Sequence, residues 1–220
     1  MNLTDSLIPA SWLLISLLLF GAILLRAAYA APWAMLKKPG VLNLLLGASV
    51  AVLAFWQIKT GIQPGLNLHL LGATALTLLF GPWFAMLGLT LVLLVATAWA
   101  GSWHAFALNG LLMAVLPVTL SWWIYRLVDS KLPNHFFIYV FLNAFIGAGV
   151  AVATVGFAVC SVLAWAGAYP FDYLMQNYFP YFLLMAWSEA VTTGMIMTIL
   201  VAYKPHWVAT FDDKHYIDGK

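Results

Sequence analysis

A 220-residue chain that is 65% hydrophobic and only 7% charged departs from the roughly half apolar, one-quarter charged make-up of soluble domains, which excludes water as its main solvent. Its formal net charge of +2 is too small and too scattered for a nucleic-acid surface, so no nucleic-acid partner is expected. A single cysteine, Cys160, excludes an internal disulfide framework.

No Asp, Glu, Lys or Arg occurs from Thr60 to Tyr125 or from Leu132 to Phe171, and a lipid bilayer accounts for such stretches. The composition therefore predicts an all-α integral membrane protein of the cell (inner) membrane, one transmembrane domain over 1–220 with a short cytoplasmic tail at 204–220. Spanning helices need roughly 20 apolar residues, and turn punctuation marks out about seven.

The first covers about Ala10 to Ala31. Its apolar core followed by Ala28-Tyr29-Ala30 imitates a secretory signal peptide, but Asp5 precedes the core while Arg26, Lys37 and Lys38 follow it. That charge order predicts a retained helix entering from outside. Pro32, Pro39 and Gly40 break the chain before a second helix at about Val41 to Ile58. Lys59 to Asn67, with Gly61, Pro64 and Gly65, forms the next loop. The run Leu68 to Ala100 is too long for one helix, and Gly81-Pro82-Trp83 splits it into a third and a fourth. A fifth runs from about Trp103 to Leu127, a sixth from about His135 to Ala168, long enough to be tilted or to kink near Gly147, Gly149 or Gly156, and a seventh from about Asn177 to Tyr203.

Seven crossings with the N-terminus outside put Arg26, Lys37, Lys38, Arg126, Lys131, Lys204, Lys214 and Lys220 in the cytoplasm and Lys59 alone outside. Cytoplasmic loops carry such an excess of Lys and Arg, so the C-terminus is expected inside.

Few polar side chains are placed for chemistry. His69 and His104 begin the third and fifth helices at similar depth, and the two imidazoles can converge on one ion if those helices are neighbours. The competing reading leaves both wet at the headgroup interface. His135, His206 and His215 belong to solvated cytoplasmic loops. Glu189 lies deep in an apolar helix, where an ionisable group normally faces the bundle interior with a partner. Thr192 and Thr193 follow on the same helical face and can donate hydrogen bonds to it. Either Glu189 ties two helices together or it has a direct functional role. Asn109 and Asn143 also occur within spans, where amides commonly bridge helices. Ala27 and Ala31 form a small-xxx-small pair suited to contact with another subunit.

The sequence contains no glycine-rich phosphate loop ending in Gly-Lys-Ser/Thr, no His-Glu-x-x-His, no paired-cysteine metal motif and no nucleophile elbow. These absences point away from an enzyme and from an organic cofactor, and they place any energy source for transport on another subunit.

Met1-Asn2-Leu3-Thr4-Asp5 with Pro9, His69-Leu70-Leu71-Gly72, Gly81-Pro82-Trp83, Leu108-Asn109-Gly110 and Ser188-Glu189-Ala190-Val191-Thr192-Thr193-Gly194 follow one another over nearly the whole chain. In order and spacing they resemble the CbiM/NikM-type permeases, the substrate-capture subunits of energy-coupling factor transporters for cobalt and nickel. The resemblance implies an N-terminus tucked into the bundle from outside and a square-planar ion site. That site is made by the terminal amine, the second residue's backbone nitrogen and imidazole, and a histidine opening the third helix. The matching positions are Met1, Asn2 and His69. Nitrogen donors in a tetragonal array favour nickel or cobalt over magnesium or calcium. The resemblance also implies a membrane coupling subunit and ATPase subunits as partners.

Asn2 departs from the family, which carries His there, so an amide replaces one of the strongest ligands. His104 is the candidate replacement, and Asp5 would bias the site toward a harder ion. The loss also favours an alternative: a structural or assembly subunit of a larger membrane complex that retains the fold without transporting.

Overall fold

Hydrocarbon offers no partners for backbone N–H and C=O groups, so apolar runs of this length must satisfy them internally as helices. The computed structural model describes residues 3–63 and 66–216. A 3₁₀ turn at Asp5–Leu7 leads into α1 (Ala10–Ala30), and a second at Trp33–Lys37 leads into α2 (Val41–Gln57). After α2 come β1 (Thr60–Gln63) and β2 (Leu66–Leu68), then α3 (Ala73–Ala100). Two helices follow, α4 (Phe106–Lys131) and α5 (Phe136–Trp165). The short α6 (Phe171–Asn177) precedes α7 (Phe179–Tyr203), and α8 (Asp213–Tyr216) closes the described chain.

Five helices, α1, α3, α4, α5 and α7, are long and apolar enough to cross a membrane, and α2 is a shorter apolar helix. Large apolar side chains point outward along them, among them Leu18 at 68% exposure, Leu25 at 75% and Leu184 at 68%, as lipid-facing surfaces require. This is a multi-pass membrane protein.

Two expectations need correction. The loop expected at Lys59 to Asn67 contains an antiparallel hairpin, with Thr60 opposite Leu68 and Gly61 opposite Asn67. The expected third and fourth helices do break at Gly81, which sits at φ 79°, ψ 169°, a conformation open essentially to glycine alone. The first limb, however, begins only at Ala73 and ends at Phe80. Eight residues of α-helix rise about 12 Å, too little to cross a bilayer unaided. The chain also reverses at this point. His69 and Ala100 line one cavity, which a straight helix of roughly 40 Å between them would forbid. Gly81, Pro82 and Trp83 instead border a different cavity with Pro32 and Thr210.

The end of the short limb is closed by the C-terminal segment. The Ala209 amide donates to the Leu79 carbonyl at 3.0 Å. The Thr210 hydroxyl donates to Leu78 O at 2.7 Å and meets the buried Tyr139 hydroxyl at 2.6 Å. The expected tail at 204–220 is thus packed as far as Tyr216, whose hydroxyl donates to Asp129 Oδ1 at 2.7 Å. Within the sixth expected helix, residues Tyr139–Ile146 of α5 form a π-helical stretch ending just before Gly147. Gly156 of α5 instead allows close packing, since a Cβ there would run into the Phe182 ring of α7.

Candidate metal site

Four elements assemble around the N-terminal end of α3. The N-terminal segment comes first: Leu3 is 1% exposed, and Asn109 of α4 holds its backbone at both ends. The Leu3 amide donates to Asn109 Oδ1 at 2.8 Å, and Asn109 Nδ2 donates to the Leu3 carbonyl at 3.0 Å. A carboxamide offers one acceptor beside two donors, so it pairs with a peptide unit as a neighbouring strand would. Asn109 was expected to bridge helices; it anchors the chain's entry instead.

The hairpin provides the second wall. Tyr178, which precedes α7, donates from its hydroxyl to Asn67 O at 2.9 Å. Immediately beyond β2, His69 is 2% exposed and packs against the Trp56 indole of α2 with ring centres 4.7 Å apart. Its Nδ1 lies 3.0 Å from the Leu70 carbonyl; a carbonyl only accepts, so Nδ1 carries the proton and the lone pair belongs to Nε2. Burial holds this imidazole far below its usual range, at about 3, so it is a neutral nitrogen donor at any physiological pH.

The segment after His69 is fixed from both sides. Trp56 Nε1 donates to the Leu71 carbonyl at 3.2 Å. From α7, Glu189 accepts the Leu71 amide on Oε2 at 2.8 Å and the Gly72 amide on Oε1 at 2.6 Å. The Gly72 amide is that of the α3 N-cap, which has no side-chain cap, and the Leu71 amide immediately precedes it. Gly72, at φ 69°, also sits so close to α2 that a Cβ would meet Val52 Cγ2 at 2.7 Å. Thr192 and Thr193 were expected to donate to Glu189; backbone amides do so instead. The two threonines border, with Glu189, a cavity of about 300 Å³ between α2 and α7.

Thr4, Gln57, Lys59, Asn67, His69, Thr97, Ser102 and Asn109 contribute the polar lining of a cavity of about 190 Å³ flanked by Trp56 and Trp99. His104 is elsewhere. Its side chain is 79% exposed and pairs through Nδ1 with Asp5 Oδ2 at 3.0 Å, while the Ala105 amide donates to Asp5 Oδ1 at 2.8 Å. Burial raises the Asp5 pKa, but the bonds from His104 and Ala105 outweigh it and hold the carboxyl below its ordinary value. His104 and Asp5 therefore bind each other across the start of α4, and neither reaches the His69 cavity. Similar depth along two helices did not reveal that their side chains point in different directions. Met1 and Asn2 lie outside the described residues. Among the described residues, no group of three or more His, Cys, Asp or Glu side chains could hold an ion, so His69 is their one imidazole at this cavity.

Trp56 and Thr97 carried no signal in the sequence, being ordinary residues of apolar spans, nor did Ser102, an ordinary residue of the turn after α3. Lys59 entered only as the single outer positive charge.

The model of one family, CbiM, described as the cobalt uptake substrate-specific transmembrane region, matches residues 2–207. The chain belongs to the CbiM family. Two solved structures share the fold. One is a truncated transition metal transporter, 21% identical, with a TM-score of 0.81 over 92% of this chain and 99% of that one. The other is a transition metal transporter with the same identity, TM-score and coverage of this chain, matched over 93% of its own length. No curated protein matches. As a CbiM family member the chain is a component of metal uptake, a transport protein rather than an enzyme.

Proposed function

We propose that this CbiM-family chain is the capture subunit for a divalent transition-metal ion, nickel or cobalt, which it takes up at its outer face. A membrane coupling subunit and ATPase subunits, none encoded here, then drive the ion inward. In this reading the chain crosses seven times, with the N-terminus outside and the C-terminus inside, and the limb Ala73–Phe80 serves as the third passage. The reversal at Gly81 and the eight-to-one charge bias support that count.

The observation that carries the reading is the buried, neutral His69 facing a cavity against the anchored segment at Leu3. A neutral imidazole suits late transition metals better than magnesium or calcium, and the cavity brings it beside the entering chain, where Met1 and Asn2 would add nitrogen donors. Glu189 belongs to the same machinery at one remove, holding the two amides that follow His69. The substitution at Asn2 sustains the rival reading of a non-transporting subunit in a larger complex.

Elemental analysis of protein purified without metal-binding tags separates the two. Wild type and His104→Ala are expected to retain about one equivalent of nickel or cobalt, and His69→Ala to lose at least ten-fold. Equal metal in all three, or none in wild type, overturns the proposal.

A further inference from the structure

α2 packs along α3 and along the 3₁₀ turn before it, and the gap it leaves against α7 is the cleft of about 300 Å³. Gly47 and Ala51 are exposed on its rim, so the cleft opens sideways to the bilayer. Leu44, Ala51, Phe55, Leu76, Ile196 and Leu200 give it an apolar lining. Its polar residues gather at the deep end, where Glu189 directs both oxygens to the amides of Leu71 and Gly72. From Leu44 to Phe55 on one wall, and from Leu200 to Glu189 on the other, the helices rise roughly 16 Å. That is about the depth of one leaflet of a hydrocarbon core some 30 Å thick.

The shallow end has a basic mouth. Leu44 borders both the cleft and a second cavity, whose wall includes Lys38, Gly40, Val41, His206 and Trp207. Lys38 and His206 are exposed there, and Lys204 lays its ammonium over the Trp207 ring, 5.9 Å from its centre. Tryptophan and lysine at the end of a span belong at headgroup level. α2 also begins at this mouth: Gly40 sits at φ 81° with no side chain to cap the helix, and the amides of a first turn favour a negative charge beside them.

We propose that this cleft holds one acyl chain of an anionic phospholipid, whose phosphate lies at Lys38, His206 and the start of α2. Basic pockets between transmembrane helices are the sites that take anionic headgroups. The apolar lining alone would accept any lipid tail or an apolar helix; the cations at the mouth and the one-leaflet length select a charged lipid. Seated there, the chain lies against Val52, Leu70 and Gly72. It fills the gap behind the segment that carries His69 and braces α2 against α7. The inference stands on the cleft and the bilayer and is independent of which ion is captured; the orientation proposed above only assigns the mouth to the cytoplasmic leaflet.

Photolabelling of the full chain in membranes, with a phosphatidylglycerol that carries a diazirine in its acyl chain, tests it. Digestion and mass spectrometry are expected to find label on cleft residues such as Ala51 and Ile196 at least five-fold above lipid-facing Leu18 and Leu184. Unlabelled phosphatidylglycerol should compete that label away at least five-fold better than phosphatidylcholine of the same chain length. Lys38→Gln combined with His206→Gln should make the two lipids equal competitors. Lys131→Gln, at the far end of α4, should keep the preference. Nothing lies within 4 Å of a Cβ at Gly47, so Gly47→Leu is expected to fold, fill the cleft and lower its label at least five-fold; should it melt early, the Lys38 and His206 pair decides alone. Label spread evenly over all lipid-facing helices overturns the proposal. So does equal competition in the wild type, or a preference that survives in the double variant. A cleft left unlabelled, as when a partner's helix or a second copy of the chain fills it, overturns it as well.

Discussion

Glu189 shows how a buried ionisable residue can act through backbone rather than through substrate. Its two oxygens take the amides of Leu71 and Gly72 at 2.8 and 2.6 Å, so the segment bearing His69 is tied to α7 just as Trp56 ties it to α2. Replacing Glu189 with Ala leaves two buried donors unpaired, each costing roughly 1–3 kcal/mol. Glu189→Ala is therefore expected to melt on the order of 10 °C below wild type in the same detergent and to weaken nickel binding at least ten-fold. Glu189→Asp should recover part of both losses. Unchanged melting and binding in Glu189→Ala would show that the carboxylate does not position this segment. Glu189 was conspicuous in the sequence because hydrocarbon makes any ionisable group there expensive. Its partners were not, because backbone amides at the start of a distant helix leave no mark in residue identity. His104 failed for the complementary reason: one residue number per helix gives depth, not direction, and the nearby Asp5 offered it a closer partner.

The short limb of α3 is the element on which the site depends, since its first turn is held by α7 and its last by the C-terminal segment. Two glycines permit that geometry, and they differ in what surrounds them. Gly81 (φ 79°) has open space where a Cβ would go, so Gly81→Ala carries backbone strain alone, roughly 1–3 kcal/mol. Gly72 (φ 69°) adds a collision with Val52. Gly72→Ala should accordingly be the more destabilising by thermal melting, and adding Val52→Ala should restore part of its stability but none of that of Gly81→Ala. Additive losses in the first pair would contradict the packing described. The break at Gly81-Pro82 was readable in the sequence, because proline and a left-handed glycine interrupt any helix. The hairpin and the shortness of the limb were not. The hairpin's polar and glycine residues read simply as a loop, while Leu68 to Leu71 are as apolar as a spanning helix, and only tertiary hydrogen bonds make an extended chain tolerable there.

At the scale of the whole molecule, hydropathy and charge placement were sufficient for a helical membrane protein, because the bilayer imposes one rule on every segment. They could not place the cavity, which exists only where the N-terminal segment, α2, the hairpin and the ends of α3 and α4 meet. Capture from outside requires that this cavity face the medium and be filled by the metal. Ser102 lines it beside His69, and Cys160 is the sole native cysteine. On a Cys160→Ser background, Ser102→Cys in intact cells should react with a membrane-impermeant maleimide, and nickel in the medium should slow that reaction several-fold. Reaction only after the membrane is permeabilised, or at a rate indifferent to nickel, would contradict capture at an outward-facing His69 cavity.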